Sequence, residues 1–280
     1  MRIAVLSGKG GTGKTFVSVN LAACAPFAVY MDCDVEEPNG HLFFQPDDVT
    51  SENVYKMLPS FNKENCIGCR QCVDFCRFNA LAFIGKKPKV FPDVCHSCGG
   101  CSLVCPADAV TESAHEVGHV EIGFHNKIRV VTGMLNLGEA SGVPVIKKVL
   151  SQASDEDELV VVDCPPGSAC TVMESIDSAD FCLLVAEPTS FGLHNFKMVL
   201  ELVHLLKKPC GVVINKALSK ENPLSDFCRE EGLKVLCQIP YKENTAYNGA
   251  KARIASECDE ELKEVFTELL AKIEKEVKSI

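Results

Sequence analysis

The sequence predicts an α/β protein in which a doubly wound, mostly parallel sheet is interrupted by one small insert. Short apolar runs rich in β-branched residues alternate with helical stretches over most of the chain, a pattern typical of strands buried on both faces of a parallel sheet. The alternation stops between residues 62 and 111, where eight of the 17 cysteines fall. We therefore expect residues 1–61 and 112–280 to form one domain and residues 62–111 to form a second, inserted domain.

The individual elements follow from where the apolar runs begin and end. The expected strands are bounded by Gly, Pro or Asp, which interrupt regular structure. Strands are predicted at residues 2–7, 27–32, 159–163, 181–186, 210–215 and 233–239. Helices are predicted at residues 14–25, 141–153, 190–207 and 223–231, and a hairpin at residues 117–133.

The segment 259–280 has apolar residues three or four positions apart, which predicts a helix with one apolar face. We expect this helix to dock on its own domain; the alternative is that it binds a partner. Its excess of acidic residues is the opposite of what membrane-surface helices carry. The residues of the apolar face are Leu262, Phe266, Leu269, Ile273, Val277 and Ile280.

Composition limits the function further. The chain has 28 basic and 38 acidic residues, a formal charge of −10, which argues against a nucleic-acid or anionic-membrane partner. No stretch approaches the roughly 18 apolar residues of a transmembrane helix, and the first apolar run is too short for a signal peptide. We therefore expect a cytoplasmic protein, in which clustered cysteines bind metal more often than they form disulfides.

The glycine-rich turn after the first strand matches the phosphate-binding pattern G-x-x-x-x-G-K-S/T between a strand and a helix. Backbone N–H groups of such a loop surround phosphates, helped by the partial positive charge of the helix N-terminus. Lys14 is expected to reach the β- and γ-phosphates, and the Thr15 hydroxyl to hold Mg²⁺. The alternative is a glycine-rich turn that binds no ligand. The loop consists of Gly8, Lys9, Gly10, Gly11, Thr12, Gly13, Lys14 and Thr15.

The string GKGGTGKT resembles the deviant Walker A motif of the MinD/ParA/Mrp superfamily of P-loop ATPases. The resemblance implies that Lys9 reaches across a dimer to the nucleotide of the other subunit. Asp32 and Asp34 are similar to the D-x-D of the family's switch I. This implies that Asp34 orients the attacking water and that Asp32 supports the Mg²⁺ shell. The alternative is that both aspartates only cap or solvate a strand end.

Further family motifs are present outside the cysteine-rich segment. Asp163, followed by Cys-Pro-Pro-Gly, is similar to the Walker B aspartate, which implies a place beside Mg²⁺. Asn215, followed by Lys216, resembles the element that reads adenine, and Pro240 lies where the family packs a loop against the base. The resemblance covers nearly everything outside residues 62–111 and implies ATP or ADP with Mg²⁺ as ligands.

The cysteine-rich segment contains the spacing C-x2-C-x2-C-x3-C twice, 29 residues apart. This is the spacing of bacterial ferredoxins, in which the fourth cysteine binds the other cluster. The segment therefore resembles a ferredoxin domain with two 4Fe–4S clusters. The alternative, a pair of zinc sites, ordinarily uses two C-x2-C pairs separated by longer loops. The resemblance implies one cluster on Cys66, Cys69, Cys72 and Cys105, and the other on Cys95, Cys98, Cys101 and Cys76.

Among the remaining cysteines, Cys170 ends the string D-x-P-P-G-x-x-C, which is similar to a string in relatives with an inserted ferredoxin. We expect it to be a buried, unreactive thiol, as free cysteines commonly are. The alternative is that it binds a cluster that bridges a dimer, together with Cys33 or Cys164. Burial is expected as well for Cys33, Cys164, Cys182, Cys210 and Cys237.

These observations favour an ATP-hydrolysing, Mg²⁺-dependent iron–sulfur protein. In this hypothesis a nucleotide-dependent dimer, of two copies or with a paralogue, is coupled to electron transfer through two 4Fe–4S clusters toward a redox protein or the maturation of a metalloprotein. One alternative is an iron–sulfur scaffold or carrier, although the terminal C-x-x-C of Mrp-type carriers is missing. A second is a positioning or partition ATPase. A cobyrinic-acid-type amidoligase ranks last, because no glutaminase-sized C-terminal domain is present.

Overall fold

The strands and helices belong to residues 1–85 and 87–279, which the computed structural model describes. The strands are β1 (Arg2–Leu6), β2 (Ala28–Asp32), β3 (Asp47–Phe61), β4 (Leu81–Ile84), β5 (Lys87–Val90), β6 (Val110–His125), β7 (Ile128–Leu135), β8 (Val160–Asp163), β9 (Phe181–Ala186), β10 (Cys210–Ala217) and β11 (Val235–Pro240). The helices are α1 (Lys14–Ala23), α2 (Gly40–Phe44), α3 (Gln71–Phe75), α4 (Gly100–Leu103), α5 (Val143–Leu150), α6 (Cys170–Ile176), α7 (Ser190–Leu205), α8 (Pro223–Glu230), α9 (Glu243–Ala250), α10 (Ala255–Cys258) and α11 (Glu260–Lys278).

The central sheet has nine strands in the order β11-β10-β9-β1-β8-β2-β7-β6-β3. Neighbours from β11 to β7 are parallel, whereas β6 is antiparallel to both β7 and β3. One hydrophobic cluster lies between the sheet and α5, α6, α7 and α8, and a second lies between the other face and α1 and α11. The predicted doubly wound, mostly parallel sheet is confirmed, and each of the six predicted strands is present within two residues of its expected bounds.

The last helix, α11, docks on its own domain as predicted. The Asp259 side chain caps it by accepting hydrogen bonds from the N–H groups of Glu261 (3.0 Å) and Leu262 (3.3 Å). Its apolar face joins the cluster under α1, with Phe266 fully buried, so the partner-binding alternative for this face is wrong. Ile280 lies outside the described residues. Neither α11 nor any other helix of the described residues combines the length and apolarity needed to cross a membrane.

The predicted hairpin is confirmed as β6–β7, but its first strand is longer than expected and pairs with β3, which the sequence pattern did not predict. Strand β3 runs over 15 residues, most of which are exposed, so it lacks the apolar run by which the other strands were recognised. Beyond the part of β6 that pairs with β7, β3 and β6 form a two-stranded ribbon. The cysteine-rich residues connect the outer ends of this ribbon.

The cysteine-rich segment is built from short elements that repeat. Helices α3 and α4 start 29 residues apart, the same offset as the cysteine motifs, and a small β4–β5 hairpin lies between them in the chain. Left-handed backbone conformations recur at this offset, which shows that both halves share one chain path. The matching pairs are Gly68 and Ser97, Arg70 and Gly99, and Asn79 and Asp108.

Candidate functional site

The loop between β1 and α1 is tightly enclosed on one side and open on the other. A Cβ atom at Gly8 would lie 2.2 Å from the carbonyl oxygen of Asn195, and one at Gly13 would lie 2.1 Å from the side-chain nitrogen of Asn215. Gly13 also has a φ of +91°, which favours glycine. A Cβ atom at Gly10 would meet no described atom within 4 Å. The loop is therefore held from behind by α7 and β10 and presents its other face to open space.

Lys14, at the start of α1, is buried among carboxylates. Its Nζ lies 2.6 Å from Oδ1 of Asp163 and 3.6 Å from Oδ2 of Asp34. Burial opposes the charge of Lys14, but the nearby carboxylates outweigh this effect and raise its pKa above the ordinary value. The lysine is thus charged and held at the carboxyl ends of β2 and β8.

Asp32 ends β2 and holds the loop that follows it. Its Oδ1 accepts a hydrogen bond from the backbone N–H of Asp34 (3.2 Å), and its Oδ2 accepts from those of Asn39 (3.0 Å) and Gly40 (2.8 Å). Burial raises the pKa of Asp32 to about 7, and the charge of Asp163 adds to the effect. Burial likewise raises the pKa of Asp34 to about 6. Asp32 therefore anchors the loop with both oxygens, and its support of Mg²⁺ stays a prediction.

A cavity of about 810 Å³ lies in front of the phosphate loop, within the range of small-molecule sites. Asp163 and Asp32 lie behind its wall, both fully buried. Thr12 is also buried, and its hydroxyl has no hydrogen-bond partner among the described residues. An open glycine face and a buried charged lysine fit an anionic ligand such as a nucleotide phosphate. The predicted residues that line the cavity are Lys9, Gly10, Gly11, Gly13, Lys14, Thr15 and Asp34.

A smaller cavity of about 170 Å³ adjoins the first one and shares Gly13 with it. Asn215 and Pro240, the residues predicted to contact adenine, both line it, together with Tyr241. The Asn215 side chain donates a 2.8 Å hydrogen bond to the carbonyl oxygen of Thr12. The phosphate and base residues predicted from the sequence are thus brought to two adjoining cavities, although their roles stay predictions.

Lys9 lies within its own subunit in this structure. Its Nζ is 2.9 Å from Glu187, which follows β9, and 5.0 Å from the centre of the Phe191 ring. Glu187 also accepts a 2.6 Å hydrogen bond from Nζ of Lys216. The same nitrogen donates a 2.7 Å hydrogen bond to the carbonyl oxygen of Gly11. Burial opposes ionisation of Glu187, but the hydrogen bonds from the two lysines lower its pKa. The reach of Lys9 across a dimer stays a prediction.

The eight cysteines of the repeated motif surround two separate cavities. Each cavity brings together the first three cysteines of one motif and the last cysteine of the other. Among the described residues, no three or more His, Cys, Asp or Glu side chains converge on the position of one metal ion, so both the cluster assignment and the zinc alternative stay predictions. One cavity is lined by Cys66, Cys69, Cys72 and Cys105, and the other by Cys76, Cys95, Cys98 and Cys101.

The expectation that Cys170 is buried is wrong, because it is exposed as the first residue of α6. Cys33 and Cys164 are fully buried, and burial raises the pKa of both thiols. They directly follow β2 and β8 and belong to a hydrophobic cluster, which leaves neither of them exposed to share a ligand with Cys170. A dimer-bridging cluster on Cys170 stays a prediction. Cys182 is buried as expected, whereas Cys210 and Cys237 are only partly buried. Cys228 is buried as well.

Sequence reasoning missed two residues of the site. Tyr30 interrupts an apolar strand and donates a hydrogen bond to Asp163, and Glu187 is the first charged residue after another strand. A polar residue inside or directly after a buried strand was the available signal. The sequence does not identify their partners, because these lie far away in the chain. Asp163 is 133 residues from Tyr30, and Lys9 is 178 residues from Glu187.

A family model and relatives that cover most of the chain match this sequence. The CobQ/CobB/MinD/ParA nucleotide binding domain model matches residues 3–253. An uncharacterized protein of Methanocaldococcus jannaschii is 32% identical over 221 residues, which cover 77% of this chain and 78% of the relative. An uncharacterized ATP-binding protein of the same organism is 25% identical over 287 residues, which cover 96% of this chain and 98% of the relative.

Solved structures share the fold. The cell division ATPase MinD of Pyrococcus furiosus has a TM-score of 0.62 at 18% identity, over 98% of both chains. A MinD of Pyrococcus horikoshii complexed with Mg-ADP has a TM-score of 0.61 at 17% identity, over 98% of this chain and 96% of that one.

Two shorter matches are to enzyme subunits. The pyruvate synthase subunit PorD of Thermotoga maritima is 40% identical over 55 residues, which cover 19% of this chain and 56% of that protein. The indolepyruvate oxidoreductase subunit IorA of Pyrococcus abyssi is 42% identical over 50 residues, which cover 17% of this chain and 8% of that protein.

Proposed function

We propose that this chain, which belongs to the CobQ/CobB/MinD/ParA nucleotide-binding family, is a Mg²⁺-dependent ATPase whose nucleotide-driven dimer switch is coupled to electron transfer through its cysteine-rich segment. The ATPase half of the proposal rests on the family and on the cavity in front of the phosphate loop. The redox half rests on one observation, the two cavities that each collect four thiols from both cysteine motifs.

In this proposal the phosphates of ATP lie against the open face of the loop. Lys14 leaves Asp163 and Asp34 for the β- and γ-phosphates, where its charge meets a stronger acceptor. Thr15, which lines the same cavity, holds Mg²⁺. Asp34 is then free of Lys14 and accepts a proton from, or orients, the attacking water. The base occupies the cavity of Asn215 and Pro240.

Dimer formation in this proposal involves Lys9. Lys9 exchanges its contact with Glu187 for a contact with the nucleotide of a second subunit. When ATP is hydrolysed, Lys9 returns to Glu187. A nucleotide shifts this equilibrium only as far as it binds the two states with different affinity. The partner is a second copy or a paralogue.

The cysteine-rich segment would hold two 4Fe–4S clusters in this proposal, one in each cavity. Each set has the four thiolates that such a cluster needs, and bound clusters supply one-electron transfer. The apolar side chains of Phe83 and Pro88 line one cavity and those of Phe75 and Phe78 the other.

A second candidate function is a positioning ATPase. Cell division and plasmid partition proteins are among the solved structures that share the fold. This candidate explains the phosphate site equally well but gives the two sets of thiols no task.

Iron content decides between the candidates. We would purify the protein anaerobically from iron-replete cells and measure iron and acid-labile sulfide in the wild type, Cys72→Ser and Cys101→Ser. Cys228→Ser, a buried cysteine outside the segment, is the matched control. We expect about eight irons per wild-type chain, as two 4Fe–4S clusters require, a loss of half or more in each segment variant, and no loss in the control.

Other outcomes point elsewhere. A wild type without iron and sulfide that still hydrolyses Mg-ATP would establish the positioning candidate. Clusters that pass to an apoprotein independently of nucleotide would establish a scaffold or carrier.

A further inference from the structure

Tyr30 is a polar residue in the middle of a buried strand. Its side chain is fully buried, and its hydroxyl donates a 2.9 Å hydrogen bond to Oδ2 of Asp163. The two residues belong to neighbouring parallel strands, in which Asp32 stands opposite Asp163. Tyr30 is two residues before Asp32 on the same face of β2, so its ring extends along the strand toward the carboxylate.

The two oxygens of Asp163 have different partners. Oδ1 lies 2.6 Å from Nζ of Lys14, and Oδ2 receives the hydroxyl of Tyr30. A lysine that moves to bound phosphates removes the cation from Oδ1. A buried carboxylate that loses all its partners is costly, and among the described residues Tyr30 is the side-chain donor that remains.

The ring of Tyr30 is fixed by its surroundings. It packs against Phe44 at 4.9 Å between ring centres. A Cβ atom at Gly40 would lie 2.2 Å from the ring and hydroxyl, so that residue 40 must remain glycine. The N–H of Gly40 also donates to Asp32. The loop that Asp32 anchors therefore also closes the space around Tyr30.

We propose that Tyr30 is a positioning residue for ATP hydrolysis, acting through Asp163. Its hydroxyl holds Oδ2 and so keeps Oδ1 facing the place that Lys14 vacates, from which Asp163 would help to hold Mg²⁺. The inference rests on the proposed ATPase function. A partner of this kind, bonded to a carboxylate beside a metal, typically changes metal affinity or activity about 10- to 100-fold when it is removed.

The test compares Tyr30→Phe, which keeps the ring and removes the donor, with Phe44→Leu, which disturbs the same packing and leaves the hydroxyl. Mn²⁺ affinity of the protein–ADP complex is measured by the EPR signal of free Mn²⁺, and ADP affinity in EDTA by calorimetry. We expect Tyr30→Phe to weaken Mn²⁺ binding about 10-fold or more and to lower kcat with little change in the KM for ATP. Metal-free ADP affinity should stay the same, and Phe44→Leu, which loosens the ring but keeps the donor, should weaken Mn²⁺ binding and lower kcat less than Tyr30→Phe does.

A double-mutant cycle with Asp163→Asn supplies a readout that a packing role would not move. If Tyr30 acts through Asp163, the substitution Tyr30→Phe has no further effect on Mn²⁺ affinity once Asp163 has lost its charge. Equal effects of Tyr30→Phe in both backgrounds, or an unchanged Mn²⁺ affinity in the single variant, would overturn the inference. A wild type that binds no Mn–nucleotide would instead overturn the proposed ATPase function, and the inference with it.

Discussion

The phosphate site and the cysteine-rich segment differ in how many buried apolar side chains support them. The phosphate loop follows β1, and Asp32 and Asp163 end β2 and β8, three strands whose residues are almost all buried. Lys14 and Asp163 form a buried ion pair there. Between residues 62 and 109, few side chains are buried, and large apolar ones such as Ile67 and Leu103 are 70% and 87% exposed. The first region is shaped by its hydrophobic core, and the second has little core to shape it.

This difference predicts how each region depends on its ligand. A site at the ends of packed strands keeps its geometry when it is empty, because the sheet and the helices on both faces hold it. A segment with few buried apolar residues needs another source of stability, and metal–thiolate bonds are a common one in small domains. The predictions below separate these two kinds of dependence.

The largest effect is expected from Lys14→Ala. Removal of this cation leaves Asp163 and Asp34 without their partner, and breaking a buried ion pair typically costs about 3–5 kcal/mol of unfolding free energy. Nucleotide-dependent dimerisation should be abolished, measured by light scattering with and without Mg-ATP. Iron content should equal that of Lys147→Ala, an exposed control on α5. Dimerisation that persists in Mg-ATP would contradict the switch.

The next effect concerns removal of iron. If the clusters stabilise the segment, anaerobic chelation should leave amides of residues 62–109 unprotected in hydrogen exchange. Protection of β1, β8 and β9 should be unchanged, because these strands lie in the sheet core. Uniform loss of protection across the chain would show that the two regions do not differ in the way described.

A smaller effect is expected in how the unfolding free energy depends on pH, because of a buried carboxyl group at the phosphate site. Burial raises the pKa of Asp32 from 3.8 to about 7, so the folded state binds a proton that the unfolded state has released between these values. The unfolding free energy of the nucleotide-free protein should therefore fall as pH rises from about 4 to about 7. Urea unfolding of Asp32→Asn should show a flatter profile over this window. An identical slope in wild type and variant would exclude Asp32 as its origin.

The smallest effect is expected from Glu187→Gln, which weakens the contact that holds Lys9 in its own subunit. Partly exposed ion pairs contribute up to about 1 kcal/mol, so the ATP concentration for half-maximal dimerisation should fall by up to about five-fold. Glu201→Gln, an exposed residue on α7, should change nothing. A Glu187→Gln variant that fails to dimerise would show instead that Glu187 is needed in the dimer.

Much of the fold was readable from the sequence because buried parallel strands are continuous apolar runs. Strand β3 was missed for the converse reason, since its exposed side chains follow no apolar pattern. The phosphate loop and the cysteine sets were readable because their chemistry depends on short, fixed spacings. Tyr30 and Glu187 were not, because each acquires its partner only when strands distant in the chain become neighbours. Cys170 was misjudged because its exposure is set by where α6 begins.

The most direct test of the coupling between the two regions is an EPR-monitored redox titration of anaerobically purified protein, with and without Mg-ATP. Lys14→Ala is titrated under the same conditions. It shows whether a change in midpoint potential requires nucleotide bound at the phosphate loop or only Mg-ATP in the solution. We predict two reduced-cluster signals whose midpoint potentials move when Mg-ATP is added to the wild type and stay fixed in Lys14→Ala. Two signals that ignore nucleotide in both proteins would contradict the proposed coupling.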